Sequence, residues 1–479
     1  MIFKRIEKHR FRKFGACSKA LKNSKEYGKT LLSANKRLVG QIADIQHFFR
    51  TGNRNVYKTA TGYLQGLWRS KLSNLEKITQ TGLPDNYHQL QHFISDSPWD
   101  HCKVMDYVAL ESGKSLNQKK LIGLYLDESG VGKKGKESVG VAPQYCGNLG
   151  KVDNCQVAVF AAIGQGDFST IVDSRLYLPK SWTDDQRRMK KAKIPTEAQV
   201  FKTKQQIALE LIEHQISIGN RFDYINGDAL YGADQKLTDA IDELSIPFIM
   251  DIRENQHVFL EEPKVYIPPH GARGRKPKNL KANLNSIIVK EYAQNLSEKD
   301  FKNIKVRNTA KGKLKCHFHF RTVWIWDKQS SRVSKRMLVI RKNSKKRKTE
   351  MKFALGNVSL EQFKPKEIAY MQAQRFFIEH AFKEAKSVLG LDQYQTRKWM
   401  AWYHQVALNM LLLLFILKEK LSQFKALPLL SAYDIRQILE ATIVSSDPNT
   451  ASRIIDVIYQ NHKSRQRDIN RFYAVSSKC

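Results

Sequence analysis

The chain has 479 residues, of which 42% are hydrophobic and 10% aromatic. This composition excludes an intrinsically disordered protein, and the length indicates about two to four folding units. The chain carries 81 Lys and Arg residues against 46 Asp and Glu residues, a net charge of +35, and so large an excess predicts a polyanionic partner.

The positive charge is concentrated in two segments. Residues 1–60 contain 15 basic and 3 acidic residues, and residues 263–350 contain 25 and 5. Two basic segments beside a nearly neutral body favour nucleic acid as the partner, bound with a strong salt dependence. The six cysteines are scattered and form no C-x-x-C pair, which suits a reducing compartment and argues against a disulfide scaffold.

The first 252 residues predict two regions. Residues 1–115 combine helical periodicity with basic charge, as in YLQGLWRSKLSNLEKI, and predict a helical N-terminal DNA-binding region. Residues 116–252 begin with three apolar strands in an antiparallel meander: LIGLYLD, CQVAVFAAIG and FSTIVDSRLYLP. A helix over 197–218, the strand FDYINGD, a helix over 234–244 and the strand PFIMDI follow. The region therefore predicts an α/β fold with a mixed sheet covered by helices.

The remaining residues predict an interruption and a return to helices. Residues 253–352 form a basic β-rich insertion, residues 353–425 complete the α/β core with helices over 367–388 and 399–424, and residues 426–479 form a helical tail. The longest apolar run, VALNMLLLLFIL, has twelve residues, fewer than the roughly 20 that a bilayer requires. It predicts a buried helix and no membrane partner.

Three carboxylates occupy positions that suit a catalytic site. Asp127 and Asp228 each end an apolar strand, although a strand-end acid also commonly starts a turn. In RFFIEHAFKEAK, the residues Arg375, Glu379 and Lys386 are spaced by four and seven positions, which places them on one helical face. Two aspartates and a glutamate supply hard oxygen ligands for two Mg²⁺ ions, the arrangement used for in-line phosphoryl displacement.

The order Asp, Asp and then a helix with R-x3-E-x6-K resembles bacterial insertion-sequence transposases of the DDE class. The resemblance extends over about residues 90–415 through LYLDESGVGKKGKESVG, DSRLYLPKSW, GDALYG and QRFFIEHAFKEAKSVLGLDQYQTRKW. It implies a ribonuclease H-like catalytic fold, with Asp127, Asp228 and Glu379 as catalytic metal ligands and Arg375 and Lys386 as phosphate contacts. It also implies Mg²⁺, with Mn²⁺ as a substitute, cleavage and strand transfer of double-stranded DNA at terminal repeats, a homodimer at synapsis, and a cytoplasmic, nucleoid-associated location.

At Gln372 the chain departs from the family pattern, and its predicted insertion contains two candidate aromatic residues. The family pattern has Tyr three residues before the Arg, where this chain has Gln372, so the contact of that tyrosine with a terminal phosphate is not carried over. Family members with a β-rich insertion stack an aromatic residue on a flipped base. Trp324 and Trp326 are the candidates here, with core packing as the competing explanation. The run Lys345, Lys346, Arg347 and Lys348 is a predicted DNA contact.

Other sequence features suggest competing sites and functions. From Gly130 the chain reads G-x-x-x-x-G-K, but Glu137 stands where a phosphate-binding loop needs Ser or Thr. Zinc binding at Cys316, His317 and His319 lacks a second ligand pair. Strand alternation directs Glu128 away from Asp127. The replacement carboxylates, should the assignment fail, are Asp173, Asp223 and Asp251. The alternative functions are a catalytically silent DNA-binding protein and a structure-specific nuclease.

Overall fold

A computed structural model describes residues 31–476 except 71, 82–86, 148, 270–277, 310–311, 329, 346–347, 425–426 and 445–447. For residues 308, 312, 344–345, 348–349, 443–444, 448–452, 472–473 and 475–476 it describes the backbone alone. The first 30 residues, which carry much of the N-terminal charge, lie outside the described part of the chain.

The N-terminal region is helical, as predicted. Its elements are α1 (Ala34–Asp44), a 3₁₀ turn (Gln46–Phe49), β1 (Arg50–Thr51), β2 (Arg54–Asn55), α2 (Tyr57–Arg69), α3 (Leu75–Thr79), α4 (Tyr87–Ser95) and α5 (His101–Ser115). Buried side chains of this region, among them Leu38, Phe49 and Trp68, share one apolar core with the long C-terminal helix that contains Leu411. The described residues of this region, from Leu31 on, are therefore packed onto the α/β core and do not form a separate module.

The predicted α/β core follows. Its elements are β3 (Gly123–Gly132), β4 (Ala142–Cys146), β5 (Lys151–Gln165), β6 (Phe168–Leu176), α6 (Lys180–Thr183), α7 (Gln186–Lys191), a 3₁₀ turn (Thr196–Ala198), α8 (Lys204–Ser217), β7 (Tyr224–Gly227), α9 (Ala229–Gly232), α10 (Gln235–Glu243) and β8 (Phe248–Ile252). Strands β3, β5 and β6 pair antiparallel, which confirms the predicted meander. Strands β3, β7 and β8 pair parallel. The strand order β6-β5-β3-β7-β8 fits the expected ribonuclease H-like sheet.

The β-rich segment extends this sheet. Its elements are β9 (His257–Val258), β10 (Val265–Tyr266), β11 (Lys281–Ala282), β12 (Ile287–Ile288), α11 (Val289–Gln294), a 3₁₀ turn (Glu298–Asp300), β13 (Lys302–Thr309), β14 (Gly312–Ile325), β15 (Ser334–Lys345) and β16 (Lys348–Gly356). Strand β16 pairs antiparallel with β8, so β13 to β16 continue the core sheet to ten strands. The segment interrupts the core in sequence but joins it in space.

The C-terminal part supplies the helices that complete both layers. They are α12 (Pro365–Gln374), α13 (Phe376–Ser387), α14 (Trp399–Gln423), α15 (Ala432–Val444) and α16 (Pro448–Ser476). Helix α14 is long and apolar enough to cross a membrane, but 94% of its most apolar window is buried inside the protein. This burial confirms that the apolar run is the core helix the sequence predicts.

Apolar side chains alternate between two cores on opposite faces of the sheet. Tyr125 on β3 faces the core built around α14, whereas Leu124 and Leu126 face the core that contains α8 and α10. A sheet covered on both faces by helices is a three-layer α/β architecture. The same alternation decides which face each residue after Leu126 approaches.

Candidate active site

Asp127 and Asp228 meet where the parallel pairing of β3 with β7 ends. Asp228 directly follows β7, but β3 continues past Asp127 to Gly132 because it stays paired with β5, so the prediction that Asp127 ends its strand was wrong. In the register of β3 and β7, Leu126 lies opposite Gly227, so the aspartates that follow come level with each other. Asp228 is also the N-cap of α9, where it accepts a hydrogen bond of 2.8 Å from the Leu230 amide. The parallel pairing thus brings together two carboxylates separated by a hundred residues of sequence.

A third carboxylate joins the pair. Single oxygen atoms of Asp127, Glu128 and Asp228 lie within 4.8 Å of one another. Strand alternation does turn Glu128 to the other face, but the Tyr231 hydroxyl donates to Glu128 Oε2 at 3.1 Å and Lys204 Nζ lies 3.1 Å from Glu128 Oε1. Strand alternation therefore gives the direction of Glu128 correctly, but the prediction that this separates its carboxylate from Asp127 was wrong. Tyr231 and Lys204 hold the longer Glu128 side chain close to both aspartates.

Burial and mutual repulsion raise the pKa values of the clustered aspartates. Burial, followed by the neighbouring Asp228 charge, raises the pKa of Asp127 to about 7, against the opposing effect of Arg375. Burial and Glu128 raise the pKa of Asp228. Each carboxylate therefore disfavours ionisation of the next, and a cation among them would relieve the repulsion. Clustered carboxylate oxygens are the donor set that Mg²⁺ and Mn²⁺ take, so these residues fit a divalent ion.

Arg375 connects this group to the glutamate helix. Its Nη1 lies 3.5 Å from Asp127 Oδ2, and its Nη2 lies 3.9 Å from Glu379 Oε1. Arg375 is the junction between α12 and α13, so the single helix predicted over 367–388 is interrupted there. Among the described residues, Glu379 is not within the three-carboxylate group, and its side chain is 53% exposed.

Lys386 contacts β3 on the C-terminal side of Asp127. Its Nζ donates to the Gly130 carbonyl at 3.3 Å, three residues beyond Asp127. Nearby, Lys133 Nζ donates to the Tyr394 carbonyl at 2.8 Å and lies 3.9 Å from the centre of the Tyr394 ring. Burial lowers the pKa of both lysines, that of Lys133 to about 8. Two basic side chains thus lie along the last residues of β3 and directly after it, on the C-terminal side of Asp127.

Asp251 supplies a further carboxylate at the same edge. Both its oxygens are engaged: Gln372 Nε2 donates to Oδ1 at 3.1 Å and Arg375 Nε donates to Oδ2 at 3.0 Å. Gln372 is only 3% exposed. The residue that replaces the family tyrosine is therefore buried and directed at Asp251.

Comparison with known proteins identifies the family to which the chain belongs. Residues 46–313 match the DDE superfamily endonuclease family, which is more than half of the chain and includes Asp127 and Asp228. The chain belongs to the DDE superfamily endonucleases. The matched range ends before the helix that carries Glu379.

A named relative agrees with this assignment. The chain is 34% identical over 198 residues to a probable transposase for insertion sequence element IS701 from Microchaete diplosiphon. The match covers 41% of this chain and 48% of the relative, so it spans about half the length of that protein. A DDE superfamily endonuclease with such a relative is in keeping with the predicted bacterial insertion-sequence transposase.

The predicted DNA contacts of this DDE endonuclease in the β-rich segment lie outside the acidic group. Trp324, near the end of β14, is half-buried on the face opposite Val323 and Ile325. Trp326 lies one residue beyond the strand and donates from Nε1 to the Ser330 carbonyl at 2.6 Å. In the run Lys345, Lys346, Arg347 and Lys348, two residues and all four side chains lie outside the described part of the chain.

The competing sites lose their support in the structure. Residues Gly130 and Gly132 belong to β3, and a strand, not a helix, is the next element, which excludes a phosphate-binding loop. His319 is hydrogen-bonded to the Tyr292 hydroxyl at 2.9 Å, and no metal-binding group that includes it occurs among the described residues.

The replacement aspartates divide between structural and site positions. Asp173 is fully buried and paired with Arg175 and His214, and Asp223 accepts the Ile122 amide at 2.8 Å. Only Asp251 reaches the site. Tyr231 and Lys204, which hold Glu128, carried no sequence signal beyond the GDALYG motif that contains Tyr231.

Proposed function

We propose that this protein is the DNA transposase of an insertion sequence, which cuts DNA at the element's ends and joins the ends to a target. The observation that supports this most strongly is the level placement of Asp127 and Asp228, with Arg375 reaching from the glutamate helix to Asp127 at 3.5 Å. Membership of the DDE superfamily endonucleases and the IS701 relative support the same function.

The residues divide the chemistry among them. Asp127 and Asp228 are the ligands for divalent cations, with Glu128 beside them and Glu379 joining from the exposed face of α13. Bound Mg²⁺ supplies Lewis-acid stabilisation of the attacking and leaving oxygens. Arg375 and Lys386 contribute positive charge to bind and orient the transferred phosphate. In the cleavage step, water attacks the phosphorus and the 3′-oxygen leaves; in strand transfer, the freed 3′-hydroxyl attacks a phosphodiester of the target and displaces the target's own 3′-oxygen.

Basic surfaces hold the double-stranded DNA in this proposal. Strand β13 forms one edge of the ten-stranded sheet, and Lys302 and Lys305 on it are exposed. Together with the basic N-terminal segment, this edge would contact phosphates without reading sequence. Two element ends must be brought together, so the protein acts as a homodimer at synapsis, in the cytoplasm on nucleoid DNA.

A catalytically silent DNA-binding protein is the alternative, and it predicts a different outcome in a direct assay. The purified protein is incubated with Mg²⁺ and linear DNA that carries the element's terminal repeats. We expect end-specific cleavage that requires Mg²⁺ and is lost in Asp228→Asn and Glu379→Gln. End binding by the wild-type protein without cleavage would refute the transposase and support the silent binder.

Glu384→Gln is the matched control, because Glu384 lies on the same helix α13 and is paired with Lys420 away from the acidic group. It should cleave like the wild-type protein. Cleavage that survives Glu379→Gln would remove Glu379 from the site. Addition of a target plasmid separates transposase from nuclease: joined products support strand transfer, and cleavage without joining supports a nuclease.

A further inference from the structure

Three neighbouring parallel strands carry an aspartate at the same level: Asp127 within β3, Asp228 directly after β7 and Asp251 near the end of β8. Leu126 on β3 pairs with Gly227 on β7, and Gly227 pairs with Met250 on β8. The next residues, Asp127, Asp228 and Asp251, therefore form a row across the sheet. Asp251 occupies the outer position of the row, and its side chain is 17% exposed.

Asp251 differs from the other two in its partners. Its two oxygens accept hydrogen bonds from Gln372 and from Arg375 Nε, at 3.1 and 3.0 Å. Two bound donors leave Asp251 poorly suited to a metal ion. Its carboxylate fixes one edge of the Arg375 guanidinium, because Nε and the terminal nitrogens share one rigid plane.

The fixed edge determines where the rest of the guanidinium lies. The Nη1 atom remains 3.5 Å from Asp127 Oδ2 and Nη2 remains 3.9 Å from Glu379 Oε1. An unrestrained charge-assisted pair closes to about 2.7–2.9 Å. The guanidinium is thus held near both catalytic carboxylates without closing on either.

The helix end that carries Arg375 is itself attached to the sheet at two neighbouring strands. Asn226 Nδ2 on β7 donates to the Met371 carbonyl at 2.8 Å, and Gln372 reaches Asp251 on β8. Gln372 lies three residues before Arg375, on the same side of the helix, and is almost fully buried. The Gln372 amide therefore holds the Asp251 oxygen that Arg375 does not bind.

We propose that Asp251 and Gln372 are positioning residues that aim Arg375 between Asp127 and Glu379 and hold it back from Asp127. The inference rests on the proposed function only in taking Asp127 as a metal ligand. Without Asp251, the guanidinium closes on Asp127 and competes with a divalent cation for the same oxygen. The positioning pair thereby keeps Asp127 available to the metal while leaving Arg375 beside the phosphate position.

The test is the affinity of the DNA-free protein for Mn²⁺, measured by the loss of the free-ion electron paramagnetic resonance signal. Four proteins form a cycle: wild type, Asp251→Asn, Arg375→Met and the double variant. We expect Asp251→Asn to weaken Mn²⁺ binding about tenfold in the wild-type background, within the range of couplings between contacting residues. In the Arg375→Met background the same change should have an effect of less than about twofold.

Two outcomes would overturn the proposal. Equal weakening in both backgrounds would mean that Asp251 acts through its charge alone, and no weakening in either would mean that it does not act on the site. Gln372→Leu removes the amide without changing charge. It should weaken Mn²⁺ binding in the wild type but not with Arg375→Met, and this second cycle decides the matter if Asp251→Asn does not fold.

The result is separable from that of the cleavage assay. If the Mn²⁺ couplings are as expected but the wild-type protein does not cut element ends, the positioning role stands and transposition fails. If the wild-type protein cuts element ends but the Mn²⁺ couplings are absent, the proposed function stands and the positioning role fails.

Discussion

Arg336 provides the clearest prediction about how the β-rich segment joins the catalytic core. It lies on β15, and its side chain is only 3% exposed. Its Nη2 lies 3.1 Å from Asp239 Oδ1 and its Nη1 lies 2.6 Å from Asp242 Oδ2, both on α10. Replacement by Leu leaves two carboxylates without their buried partner.

The cost follows from the burial of the three groups. Removing one partner of a buried ion pair typically costs about 3–5 kcal/mol. The low end, about 3 kcal/mol, applies here because Asp239 and Asp242 keep 16% and 20% exposure and a second cation, Arg332. The unfolding entropy is about 2.1 cal/mol/K per residue, which is about 1 kcal/mol/K for 479 residues. Arg336→Leu should therefore lower the melting temperature by about 3 °C.

Arg332→Leu is the matched control in the same calorimetric measurement. Arg332 approaches the same two aspartates, and Glu243 at 3.1 Å, but its side chain is 42% exposed. Exposed ion pairs contribute about 0–1 kcal/mol, so its melting temperature should fall by less than about 1 °C. Equal shifts in the two variants would refute the claim that a buried ion-pair cluster attaches this segment to the core.

Three further predictions concern other parts of the molecule. Hydrogen bonds to Asp106 and Asp173 raise the pKa of His214 from 6.5 to about 9; this stabilisation is complete below about pH 6.5 and lost as pH rises through about 9, so His214→Gln should flatten the fall in melting temperature across that interval. A Cβ added at Gly232 would lie 2.2 Å from the Asp251 carbonyl oxygen, whereas one at Gly40 meets nothing within 4 Å; Gly232→Ala should lower the melting temperature and Gly40→Ala, within α1, should not. Replacing Lys302 and Lys305 together by Ala should reduce the slope of log affinity for DNA against log salt by about two, and an unchanged slope would remove β13 from the DNA interface.

The sequence predicts the part of the fold that depends on local pattern. The apolar runs before Asp127 and Asp228 predict their strands, and the alternation of strands with helices predicts a mixed sheet covered by helices. The apolar run VALNMLLLLFIL, too short to span a bilayer, predicts the buried helix α14. These features depend on residues near one another in the chain, so a single sequence contains them.

The rest depends on pairings between distant residues. Alternation along β3 gives the direction of Glu128 but not the Tyr231 hydroxyl and Lys204 ammonium that hold it beside Asp228. The Asp251–Arg375 contact joins residues 124 positions apart, and no local pattern indicates it. The pairing of β16 with β8 likewise decides that the basic β-rich segment extends the sheet, whereas composition alone suggests a separate insertion.

In the proposed function, Asp228 binds the divalent ion used in cleavage at element ends. The most direct measurement is single-turnover cleavage by Asp228→Cys, first in Mg²⁺ and then in Mn²⁺, because a soft thiolate ligand is poorly suited to Mg²⁺ and accepted better by Mn²⁺. We expect loss of cleavage in Mg²⁺ and partial recovery in Mn²⁺, with DNA-end binding retained in both. Full cleavage in Mg²⁺, or a loss that Mn²⁺ leaves unchanged while the ends remain bound, would contradict it.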